Sequence, residues 1–229
     1  MEAEKISIVI PVLNEANTIN TVLARILGAS NVEVIVVDGG SQDETVALAQ
    51  SVGVKVIAAA GGRASQMNAG AGVATGSVLL FLHADTHLPP AFDTLVRQVL
   101  QNTGTIAGAF ELRIDAELWG IRLIEKMVNL RSHFLSLPYG DQAIFLKTSI
   151  FKEIGGFPNL PIMEDFELMR CLKRYGKIAI APAPVLTSGR RWQKLGVVRT
   201  TLINQLIIIS YFLGVPPAKL ARWYRQRRK

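Results

Sequence analysis

A single cysteine, Cys171, stands among 229 residues, so no internal disulfide forms and the apolar core must hold the fold. The opening residues, MEAEKIS, have neither the basic start nor the apolar run of a secretory signal, and the expected setting is the cytoplasm. Internal repeats and low-complexity segments are missing. So are G-x-G-x-x-G and a Walker-type P-loop after the first apolar run, which removes the main support for dinucleotide and P-loop readings. No long apolar span occurs either. Thr200 to Ala218 is uncharged, but Asn204, Gln205, Pro216 and Pro217 interrupt it, and the compact part, Leu206 to Val215, is well short of the ~20 residues that cross a bilayer.

Acids number 18 against 25 lysines and arginines, a formal charge of +7. Arg222, Arg225, Arg227, Arg228 and Lys229 supply five of those charges, so the body of the chain is close to neutral. A nucleic-acid-binding domain would spread its basic residues over a face with aromatic or helical readers, and none is seen. What is abundant is apolar: 49% hydrophobic content leaves ample core for one large domain with a small appendage.

Ile6 to Val12, Val32 to Val37, Val54 to Ala58 and Val78 to Leu82 are continuous apolar runs, as expected of strands buried on both faces. Helical patterns follow each. Ile19, Val22, Leu23, Ile26 and Leu27 share one face, and Ser41 and Glu44 have capping-box spacing before a helix reaching about Ser51. Ser65 to Val73 is so rich in Ala and Gly that another element must approach its backbone closely. Pro89 and Pro90 precede Phe92, Leu95, Val96, Val99 and Leu100 at helical spacing. This alternation predicts an α/β fold, a mostly parallel central sheet with helices on both faces and right-handed crossovers. The strand ends then share a rim, which gathers Glu15, Asp38, Arg63 and Asp85 where such sheets bind ligands.

The second half is less regular. Thr105 to Ile114 reads as a long strand, and Glu117 to Ser136 as a helix with Trp119, Leu123, Met127, Leu130 and Phe134 apolar. Tyr139 to Gln142 is a polar turn before a strand over Ala143 to Lys147, and Gly155 and Gly156 break the chain. Glu164 to Tyr175 reads as a helix with Phe166, Met169 and Leu172 inward and Gly176 as its C-cap.

Several residues could carry chemistry, each with a plainer alternative. His83, Asp85 and His87 lie on the loop after the fourth strand. A carboxylate fixed there suits a hard divalent cation that keeps positions open for phosphate oxygens, and the alternative is an ordinary surface loop. Asp38 either accepts hydrogen bonds from an imide or ribose or shapes its own turn. Arg63, Gln66 and Asn68 meet a nucleotide or form a solvated helix start. Glu164 and Asp165 sit in a first helical turn, where the dipole favours the ionised state that a general base needs but where acids are also common for that reason alone.

Taken in order, IPVLNEANTI, VIVVDGGSQDET, QMNAGAGVATGSVLLFLHADTHLPP, GGF and MEDFELMRCLKRYG resemble the family 2 glycosyltransferases, which have the GT-A fold, over residues 6–190. HADT, YGDQ, MEDFEL and SGRRW in so short a chain are most similar to small bacterial members associated with arsenosugar biosynthesis. The resemblance implies a catalytic domain over 1–190, with a donor half to 115 and an acceptor half from 116, then a helical segment with a basic tail over 191–229. It implies that Pro11, Asn14, Glu15, Asp38, Arg63, Gln66, Asn68, Ala84 and Asp85 face a nucleotide-diphosphate sugar, with Asp38 reading the base. His83-Ala84-Asp85 corresponds to the family's D-x-D, which holds Mn²⁺ or Mg²⁺, with Asp85 the main ligand and His83 the second. Asp165 corresponds to the catalytic base, while Asp141, Gln142, Glu164, Arg191 and Trp192 fall on the acceptor or diphosphate side. The implied reaction is a single displacement with inversion onto a hydroxyl of a small or lipid-linked acceptor. Two departures stand out. Gly39 replaces the second acid of VDDGS, and His83 replaces the first Asp of D-x-D, where imidazole suits Mn²⁺ better than Mg²⁺.

Rival readings remain at this level. A sugar nucleotidyltransferase would carry a Gly-rich, Arg- and Lys-containing loop where this chain has LNEAN. A non-catalytic nucleotide- or lipid-surface-binding protein could use the same fold, and a metal hydrolase could use His83, Asp85 and His87. The segment from Thr200 is expected to be a core helix. Its rival is an interfacial helix, with Trp223, Tyr224 and the basic tail drawn to an anionic membrane.

Overall fold

The computed structural model describes residues 3–226. In chain order the first half comprises β1 (Ile6–Val12), α1 (Ile19–Ala24), β2 (Val32–Asp38), α2 (Thr45–Ser51), β3 (Lys55–Ala58), α3 (Arg63–Gly72), β4 (Val78–Phe81), β5 (Thr86–His87) and α4 (Phe92–Gln101). The second half comprises β6 (Thr105–Asp115), α5 (Ile121–Leu135), a 3₁₀ turn (Gly140–Gln142), β7 (Phe145–Lys147), α6 (Thr148–Glu153), α7 (Glu164–Leu172), β8 (Lys177–Ser188), α8 (Arg190–Leu195), α9 (Val197–Phe212) and α10 (Pro217–Gln226). The eight strands form one sheet in the order β3-β2-β1-β4-β7-β6-β8-β5. Pairs among β1 to β4 are parallel, as is β6 with β8, while β7 is antiparallel to both neighbours and β5 to β8.

The period-two geometry of a strand explains why these runs are apolar throughout. Ile6, Ile8, Ile10, Val34, Val36, Val78 and Leu80 point into a core shared with residues of α1 and α4. Val9, Ile35, Val37, Leu79 and Phe81 point to the other face, against residues of α3, α6 and α7. Each fully buried aliphatic or aromatic side chain contributes roughly 1.5–3 kcal/mol. The Ala- and Gly-rich helix is α3, and the close approach is real. A Cβ on Gly70 would lie 2.4 Å from a Val9 methyl and 2.9 Å from a Val37 methyl, so only glycine lets α3 rest on β1 and β2.

Local patterns failed where a distant partner intervened. α2 starts at Thr45 with no capping box: the Ser41 hydroxyl accepts from Asn14 N (2.9 Å), and Asp43 accepts from Thr45 N (3.1 Å). α1 ends at Ala24, leaving Leu27 exposed. α7 ends at Leu172, and Gly176 is not left-handed. It is required because a Cβ there would lie 2.9 Å from the Gly104 carbonyl oxygen. β8 contains Pro182 and Pro184, and the ladder to β6 slips in register between Phe110 and Glu111, opposite them.

α5 shows the largest reversal. Its apolar residues Leu123, Met127, Leu130 and Phe134, with Trp119 before it, face outward, while Glu125 and Ser132 are buried. The reason is an unpaired strand edge. β7 covers β6 only at Ala107 and Gly108, so the backbone groups beyond need other partners. Gln142 Nε2 donates to Phe110 O (2.8 Å), Asn129 accepts from Leu112 N (2.7 Å) and donates to Leu112 O (3.1 Å), and Glu125 accepts from Ile114 N (2.7 Å). The inner side of α5 is polar because it completes a sheet.

The C-terminal helices close the far side. Ile207 of α9 and Leu220 of α10 pack with Met163 and Phe166 beside α7, so the segment from Thr200 buries one side as a core helix does. Its other side is exposed at Val198, Leu202, Ile209 and Phe212. Among the described residues no helix is long and apolar enough to cross a membrane. Arg227, Arg228 and Lys229 of the basic tail lie outside the described residues.

Candidate active site

The carboxyl ends of β1, β2 and β4 meet the first turns of α3, α7 and α8, and the polar residues of this rim divide into a framework and an open set. Gln66 belongs to the framework. It is buried, and its Nε2 donates to Val12 O (2.9 Å) and Val37 O (2.8 Å), tying the ends of β1 and β2. Asn68 exchanges two bonds of 2.9 Å with the Phe157 backbone, and left-handed Asn14 accepts from Gln42 N (2.8 Å). Pro11 lies within β1, and the Ala84 side chain is in the core. Gln142 is fully buried and accepts from Ser132 Oγ (2.8 Å) and Tyr139 N (3.2 Å) besides its bond to β6. The amides of Asn14, Gln66, Asn68 and Gln142 thus hold the loops in place, and the buried Gln66 and Gln142 must find such partners because water does not reach them.

Asp38 and Glu15 lie on the rim at the ends of β2 and β1. Asp38 accepts from Gly40 N (3.0 Å) and Ser41 N (3.1 Å), which fixes the loop after β2 and leaves further lone pairs available. Asp85 and Glu15 converge on one cation: Arg190 Nη2 lies 3.2 Å from Asp85 Oδ2 and 3.4 Å from Glu15 Oε2. Sequence reasoning missed Arg190 because it adjoins Arg191 in SGRRW and only the turn into α8 decides which arginine faces the rim. Arg191 points away, stacking on and hydrogen-bonding Tyr224 of α10, and Trp192 packs against the core.

The opposite wall is built from α3 and α7. Glu164 is buried and accepts from Arg63 Nε, an ion pair spanning 101 positions that brings the two helix starts together. Desolvation opposes the Arg63 charge, but Glu164 and then Asp165 overcome it and hold the guanidinium pKa above its usual value. Arg63 Nη1 lies 3.4 Å from His83 Nε2. A guanidinium only donates, so Nε2 is the acceptor and the imidazole carries its proton on Nδ1. Burial first, then Arg63, push His83 down to about 4 against the pull of Asp85 and Asp165, so it is neutral across the physiological range.

Asp165 sits between these groups and the 3₁₀ turn. Its Oδ2 accepts from Gly140 N (2.7 Å) and its Oδ1 from Phe166 N (2.8 Å), so both oxygens are oriented by backbone and each keeps a lone pair. A Cβ on Gly140 would lie 3.1 Å from both Asp165 Oδ2 and His83 Nε2, so glycine keeps that space clear. Two further residues escaped the sequence reading: Arg131 on α5 lies 3.6 Å over the Tyr139 ring, and its buried Nε and Nη2 have no hydrogen-bond partner among the described residues. No local signal marks Arg131, since the polarity of α5 follows from the edge of β6.

Asp141 has a buried oxygen with no hydrogen bond among the described residues, and burial pushes its pKa from 3.8 up to about 6 despite Arg131, with Asp165 adding to the rise. The folded chain therefore binds this proton more tightly than the unfolded chain. The resulting penalty is absent below 3.8, grows through the interval to 6 and is complete above it. Asp141→Asn should be more stable than wild type, by a margin that grows by about 1 kcal/mol between about pH 5 and about pH 8. Thermal midpoints at the two pH values check this, and a constant margin would remove burial as the cause.

The chemistry of the donor set fits a shared cation. Among the described residues no three His, Cys, Asp or Glu side chains are grouped to hold an ion by themselves. One carboxylate, Asp85, with a neutral imidazole nearby suits an ion whose remaining positions are filled by phosphate oxygens. The His83 lone pair on Nε2 is directed at Arg63, which leaves Asp85 as the principal oxygen donor.

Comparison with known proteins agrees with this architecture. The chain is 31% identical over 205 residues to the PGL/p-HBAD biosynthesis glycosyltransferase of Mycobacterium tuberculosis, covering 79% of this chain and 77% of that protein. It is 29% identical over 143 residues to the undecaprenyl-phosphate 4-deoxy-4-formamido-L-arabinose transferase of Sodalis glossinidius, covering 56% of this chain and 43% of that one. Among solved structures, the mannosyltransferase PcManGT of Pyrobaculum calidifontis, in complex with GDP-Man and Mn²⁺, superposes with a TM-score of 0.64 at 21% identity. The match covers 81% of this chain, which spans 57% of that one. Glucosyl-3-phosphoglycerate synthase of Mycobacterium tuberculosis, with Mn²⁺, UDP and glucosyl-3-phosphoglycerate, gives 0.60 at 19% identity over 89% of this chain and 79% of that one. These structures have the GT-A fold anticipated from the sequence. The model of Glycosyl transferase family 2 matches residues 7–157, and with the shared fold and the M. tuberculosis relative this places the chain in glycosyl transferase family 2.

Proposed function

We propose that the chain transfers a sugar from a nucleotide-diphosphate donor to an acceptor hydroxyl in a single displacement that inverts the anomeric carbon. The observation that carries this reading is Asp165, a carboxylate oriented by two backbone amides beside Arg63 and His83 on the rim where the strands end. A neutral hydroxyl is a poor nucleophile, and Asp165 removes its proton as the new bond forms. Asp38 and the loop it fixes receive the base. Asp85 is the residue that would hold Mn²⁺ or Mg²⁺ with the diphosphate, where such an ion would offset charge on the leaving group, whereas His83 would not join it while its Nε2 lone pair faces Arg63. Arg63 and Arg190 lie within the same rim and supply fixed positive charge toward that diphosphate. Asp141, Arg131 and Tyr139 border Asp165 on the acceptor side.

Calorimetric titration with UDP, GDP, dTDP and CDP, each with and without Mn²⁺, tests the reading. One nucleotide should bind, and more tightly with the metal. If none binds under either condition, the fold serves another purpose here.

A further inference from the structure

Two helices leave unusual surface in solvent. Trp119 is 90% exposed and Phe134 78%, with Leu123, Met127 and Leu130 between them along α5. On α9, Val198, Leu202, Leu206, Ile209 and Phe212 repeat the pattern, and the first turns of that helix border an open groove of about 720 Å³ lined by Leu195, Val198, Arg199 and Leu202. The two helices start side by side. A Cβ on Gly120 at the start of α5 would lie 3.7 Å from Val197 at the start of α9. Both helices end against α7, through Lys173 Nζ to Leu135 O (2.9 Å) and through Phe212 on Phe166 (5.5 Å between rings).

Charge selects what meets this face. In α5 the one acid is Glu125, buried against β6, while Arg122 and Lys126 are exposed. Residues 199–226 contain Arg199, Lys219, Arg222 and Arg225 and no Asp or Glu. A second copy docked symmetrically would set these cations against themselves. A phospholipid surface of negative charge satisfies both properties at once, taking apolar side chains into its boundary and basic ones at its headgroups, with tryptophan at the interface. We propose that α5 and α9 dock the protein on an anionic lipid surface. Granted the sugar-transfer reading, Asp165 then opens beside that surface, since Phe166 packs directly under Phe212, and the acceptor hydroxyl is one presented there.

Flotation of the full chain with phosphatidylcholine vesicles, with and without phosphatidylglycerol, reads this directly. The wild type should float with the anionic vesicles and lose binding in high salt. Leu123→Gln with Leu130→Gln and Phe134→Gln, and separately Leu202→Gln with Ile209→Gln, should each lower the bound fraction by about fivefold or more. Every replaced residue is more than half exposed, so thermal midpoints should hold. A chain ending at Gln226 should still float, which separates the stripes from the tail. The proposal is overturned if the wild type floats with neither vesicle, or if the stripe variants float as well as it does. It is also overturned if sedimentation shows a dimer that these variants dissociate without any flotation. Nucleotide calorimetry on the same variants keeps the two readings apart: flotation without nucleotide binding sinks sugar transfer alone, and binding without flotation sinks the docking alone.

Discussion

Replacing Asp165 with asparagine is expected to lower turnover by about 10²–10⁴ while nucleotide affinity stays unchanged, the effect of deleting a general base. Asparagine keeps the shape and one carbonyl oxygen. Its amide can satisfy either Gly140 N or Phe166 N but sets an N–H against the other, so about 1 kcal/mol of stability should go with it. The fold should survive that loss. Steady-state kinetics beside nucleotide calorimetry separate the outcomes. A fall in kcat alone assigns Asp165 to the acceptor side, and a parallel loss of nucleotide affinity would move it into the donor site.

Asp85→Ala is expected to abolish the Mn²⁺-dependent gain in nucleotide affinity, a loss of about 10-fold or more, because a hard cation shared with phosphate oxygens needs an anionic oxygen from the protein. Arg190→Ala should act in the opposite direction on the donor-free protein. Arg190 reaches both Asp85 and Glu15 but is more than half exposed, so the pair is worth at most about 1 kcal/mol and an ion can displace it. Removing the guanidinium should tighten Mn²⁺ binding without nucleotide by up to about fivefold, read by electron paramagnetic resonance titration. Turnover should nevertheless fall, since the same guanidinium lies beside Asp85, where the diphosphate is proposed to sit. Unchanged Mn²⁺ affinity in Arg190→Ala would show that the contact with Asp85 does not compete with the ion.

Much of the rim was legible because strand ends are. A run such as Val78 to Leu82 has its alternate residues on opposite faces of the sheet, both must be apolar if both are covered, and the first polar residues after it fall on the rim. Asp38, His83 and Asp85 follow strand ends by that logic, whereas Glu164 and Asp165 are read from the start of a helix; Arg63 joins Glu164 to His83, and Arg190 joins Asp85 to Glu15. The amides were not legible. Gln66 and Asn68 on α3 and Gln142 in the 3₁₀ turn lie beside the rim, yet each donates to backbone carbonyls 29 to 89 positions away, and no local pattern reveals that a carbonyl there needs a partner.

By itself the sequence determined the alternation of strands and helices, the two apolar faces of the sheet and the polar residues that follow each strand, because these depend on neighbours within a few positions. Tertiary structure alone decided that α5 turns its apolar stripe outward, since β7 stops short and leaves the edge of β6 to Gln142, Asn129 and Glu125. It also decided that Arg190 and not Arg191 faces Asp85, since α10 supplies the Tyr224 ring on which Arg191 rests. In both cases an unsatisfied group is met by a partner far away in the chain, and such a need has no period in the sequence.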